Sequence, residues 1–328
     1  MKILDKGSCG NCTWTIDEDF VLRISPADFS PRWQAGTLCC EPSKPWHAYR
    51  NGIKKVVVDE GVIADRDMEG MFSYMAGCVS FEIGKMDVSR TVIMDRMFEG
   101  CVSLEDVSSL GSWDVRALET ARTMFAGCTS LKNISALSSW DTGSLFFMSY
   151  MFADCKNLAD ISPLKNWDVS RVRDISYAFS DCTSLEDAKA IEAWEPANLL
   201  TAEGMFEDTL VKKHPLDRKI PMACPRSGSF VGYKKCRGEK IVKLKIPADA
   251  ARSSALGKKC RCSEAVVLEI RDMNGKKVDE AASYHDRAFV YREGETVEIK
   301  NFDDDRFEEC ASGIHFFMKY EDAKAYVY

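Results

Sequence analysis

The residues whose types could do chemistry cluster near the carboxy terminus. Cys310 and His315 could act as nucleophile and base, with His285 as a second imidazole. Cys260-Arg261-Cys262, together with Cys310 and His315, could instead ligate zinc, which accepts thiolates and imidazoles in a tetrahedral shell. Arg252-Ser253-Ser254, followed by Lys258-Lys259-Cys260-Arg261, sets cations beside hydroxyls, the chemistry of a phosphate or carboxylate site. The catalytic candidates are therefore Cys310, His315, Arg252 and Cys260. Neither Cys/His spacing is diagnostic, and a histidine on an amphipathic strand is more often a hydrogen-bonded structural residue. A second group of thiols, Cys9-Gly-Asn-Cys12 and Cys39-Cys40, supplies the metal candidates. Adjacent cysteines bind one ion awkwardly, so free thiols are expected there, and no metal or other cofactor.

The elements that must position these groups read mainly as strands. Residues 240–246 and 265–273 are strands, with an Asn274-Gly275 turn after the second. Two short strands surround Glu293-Gly294, another covers 313–318, and 320–326 makes a short helix. The sum is an α+β domain over 211–328. On a strand Cys260 and Cys262 share a face, and His315 lies opposite Ile314 and Phe316.

Composition limits the classes. The 328 residues are 45% hydrophobic and 29% charged, which excludes a disordered chain, a collagen or a disulfide miniprotein. No apolar run reaches the ~18 residues of a membrane span. The amino terminus lacks an apolar signal core, so a cytoplasmic location is expected, or a cell surface if a signal has been removed. The net charge is −7, yet 211–264 holds 15 Lys and Arg against four acids. Such a stretch attracts polyanions, nucleic acid included, or the acidic half of its own chain.

A repeat organises the middle. Met97-Phe98 recurs as Met124-Phe125, Met151-Phe152, Ala178-Phe179 and Met205-Phe206, each step 27 residues. Columns keep phase with it: Cys101, Cys128, Cys155, Cys182; then Leu104, Leu131, Leu158, Leu185; then Trp113-Asp114, Trp140-Asp141, Trp167-Asp168 and Trp194-Glu195. An irregular first copy centres on Tyr74–Cys78, with Cys78 in the cysteine column. Apolar residues at 104 and 107 suggest a strand entering a turn, and those at 172, 175 and 179 a short helix. The expected fold is therefore an α/β solenoid of leucine-rich-repeat-like, 27-residue coils, with an amino-terminal β cap and the carboxy-terminal α+β domain. Its divisions are 1–62, 63–210 and 211–328. A propeller is excluded, because a blade needs ~40–45 residues.

The pattern Met-Phe-x-x-Cys-x-Ser-Leu…Trp-Asp-x-Ser-x-Val-x-x-Ile-Ser-Tyr-x-Phe over 71–209 resembles the BspA-like leucine-rich repeats, and more narrowly the mycoplasma-type surface-protein repeats. Residues 8–62 are similar to the amino-terminal cap of such proteins. The resemblance implies an adhesion or protein-interaction scaffold. Gly228-Ser-Phe230…Arg252-Ser-Ser-Ala…Lys259-Cys260-Arg261…Glu309-Cys310-x-x-Gly-Ile-His315-Phe-Phe resembles an uncharacterised domain of bacteria, phages and large viruses, often attached to pentapeptide repeats. That family implies no activity.

The first expectation is a non-enzymatic interaction protein with a protein partner. Its contact strip would be Glu105, Asp106, Lys132, Asn133, Asp160, Glu186 and Asp187, polar positions flanking the Leu column. The second is an enzyme or metal protein with its site in 224–326. The third is polyanion or nucleic-acid binding by 211–264.

Overall fold

A residue type that recurs every 27 positions can be buried only if successive copies lie directly on one another. They do. The rings of Phe98, Phe125, Phe152, Phe179 and Phe206 stack nearly parallel, with centroids 5.5, 5.4, 5.5 and 5.5 Å apart. Backbone N–H groups of each layer donate to the next: Phe98 N to Met124 O, Phe125 N to Met151 O and Phe152 N to Ala178 O, each 2.9 Å. In this computed structural model the described residues are 2–27, 37–38, 44–217, 219, 222–254, 257–306 and 311–327. The chain divides into two compact units, Met1–Leu199 with Gly204–Lys219, and Leu200–Glu203 with Ile220–Tyr328.

The expected α/β solenoid does not form. Among residues 84–217 there is neither an α-helix nor a strand longer than one bridge. Each layer is a succession of i→i+3 turns: Cys155 N bonds Phe152 O, Leu158 N bonds Cys155 O, Leu164 N bonds Ile161 O and Trp167 N bonds Leu164 O. The apolar residues accordingly recur every third position, as Cys155, Leu158, Ile161, Leu164 and Trp167, all buried. A period of three belongs to 3₁₀ geometry, in which residues i and i+3 eclipse, and short 3₁₀ turns such as Ser135–Ser139 punctuate each layer. Two left-handed residues per layer block any longer helix or strand. One column runs Arg96, Thr123, Tyr150, Tyr177, Gly204 and the other Gly100, Gly127, Asp154, Asp181, Asp208, with φ between 52° and 74°. Where layers pair as strands do, the pairing is by single-residue parallel bridges, such as Ile93↔Thr120↔Phe147↔Asp174.

Side chains stitch the layers. Each column cysteine donates its thiol to the Phe carbonyl of the preceding layer: Cys101 to Phe72, Cys128 to Phe98, Cys155 to Phe125 and Cys182 to Phe152, at 3.1–3.2 Å. Each tryptophan does the same with its indole: Trp113 to Ile83, Trp140 to Leu110, Trp167 to Leu137 and Trp194 to Leu164, at 2.9–3.1 Å. The aspartate after Trp accepts a backbone N–H two residues on, as Asp168 does from Ser170 at 2.9 Å. The first copy also differs from the sequence reading. Phe72, not a residue of 74–78, stacks on Phe98 at 5.9 Å, a step of 26. That step puts the buried Met75 in the cysteine place, while the Cys78 thiol turns to Ser80 O. Trp46 closes the end of the Phe column, stacked on Phe72 at 6.4 Å.

The amino-terminal residues form a five-stranded sheet in the order Ile3–Cys9, Cys12–Asp17, Val21–Pro26, Lys55–Val58, Ser80–Glu82. The second unit is a seven-stranded sheet in the order Arg252–Ser254, Lys259–Cys262, Ile314–Phe317, Phe230–Cys236, Lys240–Ile246, Glu264–Asp272, Thr296–Glu298, with every neighbouring pair antiparallel. Its α content is one six-residue helix, Tyr320–Ala325, the single α-helix among the described residues. The balance is β rather than α+β. No helix among the described residues is long and apolar enough to cross a membrane.

Two outcomes test this architecture. Phe152→Ala, in mid-column, should destabilise the repeat unit by about 3–5 kcal/mol in urea unfolding; a loss below about 1 kcal/mol would show that the ring stack contributes little. Burial pushes the Cys101 and Cys182 thiols up to about 12 and raises Cys128 and Cys155 strongly. The folded chain therefore holds these protons where an unfolded thiol, with a pKa of roughly 8.5, has lost them. Stability should be full below roughly pH 8.5 and decline as pH rises towards the folded values. Iodoacetamide at neutral pH should leave the four unmodified until urea is added.

Candidate functional site

The polar strip expected on the repeats is exposed and in register, but four of its seven residues serve the turns. Asp106, Asn133, Asp160 and Asp187 form one column. Each accepts the backbone N–H two residues on and opens the following 3₁₀ turn: Asn133 from Ser135 at 3.0 Å, Asp160 from Ser162 at 2.8 Å and Asp187 from Lys189 at 2.8 Å. Asp106 does so with Ser108 and also accepts Asn133 Nδ2 at 2.6 Å. Beside that column Glu105 and Lys132 pair at 2.5 Å, and Glu186 is exposed.

A second strip was not foreseen. Phe146 and Phe147 lie outside the three-residue apolar period and are only half-buried. Arg171 and Arg173 lie over the Phe146 ring at 4.4 and 5.2 Å, and Arg122 over Phe147 at 4.0 Å. Tyr150 and Tyr177, both left-handed, stack at 4.8 Å, and Tyr150 is 41% exposed. The readable signal was a pair of aromatics off the core columns, beside arginines one layer away on each side.

The chemistry expected in the second unit is partly gathered and partly dispersed. Arg252 is spent on structure: its guanidinium donates to the carbonyls of Ala250, Gly228, Pro247 and Ala248 at 2.6–3.0 Å. Cys260 is fully buried, and its thiol donates to Lys258 O at 3.7 Å. The neighbouring Cys260 thiol lowers the Cys224 thiol, with Arg252 as a further influence, while Cys224 and burial together raise Cys260. Cys310, like Cys39 and Cys40, lies outside the described residues. Cys9 and Cys12 are buried on either side of the Gly10-Asn11 turn. Among the described residues no three His, Cys, Asp or Glu side chains gather as a metal cluster.

His315 and His285 both line one cavity of about 500 Å³. The strands Phe230–Cys236 and Ile314–Phe317 are joined by a single residue pair, Phe317↔Tyr233. Lys234, Lys235, Ile314 and His315, beyond that pair, line the cavity with Lys259, Asp286, Phe289, Tyr291 and Tyr326. Strand alternation carries Gly232, Lys234 and Cys236 to the buried face of the central strand. Gly232 is required there, since a Cβ would come within 2.5 Å of the Phe316 ring. Lys234 is 5% exposed, and its ammonium donates to His315 O at 3.2 Å. Burial lowers its pKa, against the raising influence of the Cys236 and Cys262 thiols, and nearby Lys259 lowers it further.

Part of the basic excess of 211–264 is consumed inside the unit. Lys235 donates to Tyr326 O at 3.0 Å, Arg237 to Ser283 O and Tyr284 O at 3.2 and 2.6 Å, and Lys240 to Glu280 O at 2.9 Å. Arg261, 3% exposed, holds the carbonyls of Asp303, Asp305 and Ser312.

Comparison with known proteins agrees with this division. No curated protein and no solved structure matches the chain. Residues 220–323 match a family of unknown function, DUF5758. In two overlapping runs, 62–160 and 105–218, the repeats are similar to the family described as Mycoplasma protein of unknown function, DUF285.

Proposed function

We propose that the chain is a non-enzymatic interaction protein whose repeat layers hold a partner protein. The observation that carries this reading is the strip of Phe146, Phe147, Tyr150 and Tyr177 with Arg171 and Arg173. Aromatic rings and guanidinium groups dominate the residues that carry protein–protein affinity. Here the layer hydrogen bonds hold them in place before any partner arrives, which lowers the ordering cost of binding. The partner segment suited to it carries carboxylates for the arginines and apolar or aromatic side chains for the rings. The row of Glu105, Asp106, Lys132, Asn133, Asp160, Glu186 and Asp187 is the second contact surface of the proposal. The second unit is its accessory part. Nucleic acid is the less favoured partner, because six of the 15 cations in 211–264 already serve main-chain carbonyls.

The two strips can be tested separately. The full chain, immobilised, is offered a lysate of its source organism, and the proteins it retains are identified. Tyr150→Ser with Tyr177→Ser and Phe146→Ser should reduce retention of a specific partner about tenfold or more, as loss of ~1.4 kcal/mol or more requires. Glu105→Ala with Lys132→Ala and Glu186→Ala spares the turn-opening column and should act more weakly. Retention unchanged in both triple variants would sink the assignment.

A further inference from the structure

We propose that the cavity between the strands Phe230–Cys236 and Ile314–Phe317 binds a small organic anion, with the Lys234 ammonium at its floor, Lys259 and His315 around the charged group, and Tyr291 and Phe289 against an apolar or aromatic body. This site is in the second unit and does not depend on the repeat surface.

A long cationic side chain on the inward face of a central strand is costly to bury unless something compensates it. The neighbouring inward positions follow the usual economy, one a glycine and the other a buried cysteine. At Lys234 the compensation within the protein is small. An ammonium offers three hydrogens, and among the described residues Lys234 has one hydrogen-bond acceptor, His315 O at 3.2 Å, with the Tyr291 ring 5.9 Å away. No carboxylate forms an ion pair with it among the described residues. A buried arginine in the same sheet makes the contrast: Arg261 is as deeply buried and is answered by three carbonyls.

The surroundings give the ligand its character. Lys234 opens onto a cavity of about 500 Å³, within the range that holds small molecules. Lysines 234, 235 and 259 and histidines 285 and 315 line it, with Asp286 as its acid among the lining residues. Among the described lining residues three ammonium groups face one carboxylate, so the field there is cationic, and low-dielectric walls strengthen it. Phe289, Tyr291 and Phe317 supply apolar surface, with Phe289 and Tyr291 edge to face at 5.3 Å. Phosphate and carboxylate are both answered by this set of donors, and the body of the ligand is answered by the rings.

Pyridoxal 5′-phosphate is a suitable probe, because it is an aromatic phosphate whose aldehyde condenses with a neutral amine. Loss of water gives an imine, and borohydride reduces that imine to a stable secondary amine. The full chain is treated at neutral pH, reduced, digested and mapped by mass spectrometry. Label should concentrate on Lys234 or Lys259 over exposed lysines such as Lys132. Inorganic phosphate or benzoate should protect those positions, and whichever protects better distinguishes a phosphate from a carboxylate ligand. Lys234→Met and, separately, Lys259→Gln should weaken probe binding about tenfold or more. Lys234→Met should leave Tm unchanged or raised, since it removes a buried charge of near-equal volume. Label spread evenly over exposed lysines, or unprotected by either anion, would overturn the proposal. So would a Lys234→Met chain that loses Tm and binds the probe as well as before, because Lys234 would then be a strut for the His315 carbonyl.

Discussion

The repeat unit depends on one constraint, the need to satisfy the polar backbone of a chain that winds in turns. A helix or a wide sheet answers its own N–H and C=O groups. A layer made of i→i+3 turns answers only some of them. Others are met by the layer above or below, as when Phe98 N donates to Met124 O, or by a side chain of the same layer, as when Ser170 N donates to Asp168. Several carbonyls accept twice. Phe98 O takes Cys101 N at 3.1 Å and the Cys128 thiol at 3.2 Å, and Leu110 O takes Trp113 N and the Trp140 indole, each at 3.1 Å. The Cys and Trp columns therefore exist as much for their donors as for their apolar bodies.

The same constraint explains where the backbone is unusual. Layer-to-layer bonding needs two left-handed corners per turn of the chain. Glycine or aspartate fills one corner from Gly100 to Asp208, which are residue types that adopt this conformation readily. At the other corner Arg96, Thr123, Tyr150 and Tyr177 adopt it at a cost of about 1–2 kcal/mol each. The stacked rings and interlayer hydrogen bonds offset that cost, and the corner points Tyr150 and Tyr177 outward. Sites that carry strain of this kind tend to be functional, and these two tyrosines belong to the strip proposed to hold a partner.

The second unit follows a different logic. Its sheet supplies its own ladder, and its many cations serve as struts to loop carbonyls. Arg252, Arg237 and Arg261 tie loops to the sheet in this way. Lys234 departs from the pattern, because it is inside, beside a cavity, and only lightly answered. The matches to two families of unknown function are compatible with two units of different purpose.

How much of this was legible in the residues differs by level. The 27-residue phase was, because stacking demands identical types at identical positions, and the columns of Phe, Cys, Leu and Trp meet as their spacing requires. Secondary structure was not. The three-residue apolar period from Cys101 to Trp113 stood in the sequence, yet without knowledge of the left-handed corners it reads as a strand followed by a helix. The first copy was misplaced because Cys78 is a closer match by type than Met75, and only the ring of Phe72 against Phe98 decides between them. In the second unit the strand Phe230–Cys236 was not read from the sequence, and only the structure put Lys234 on its buried face. Which cations are struts and which face a cavity was decided by tertiary structure alone, because it depends on carbonyls and rings from distant segments, such as Tyr326, 91 residues on, for Lys235. Local sequence determines the turn, the period and the face; only the folded chain determines which polar groups find partners.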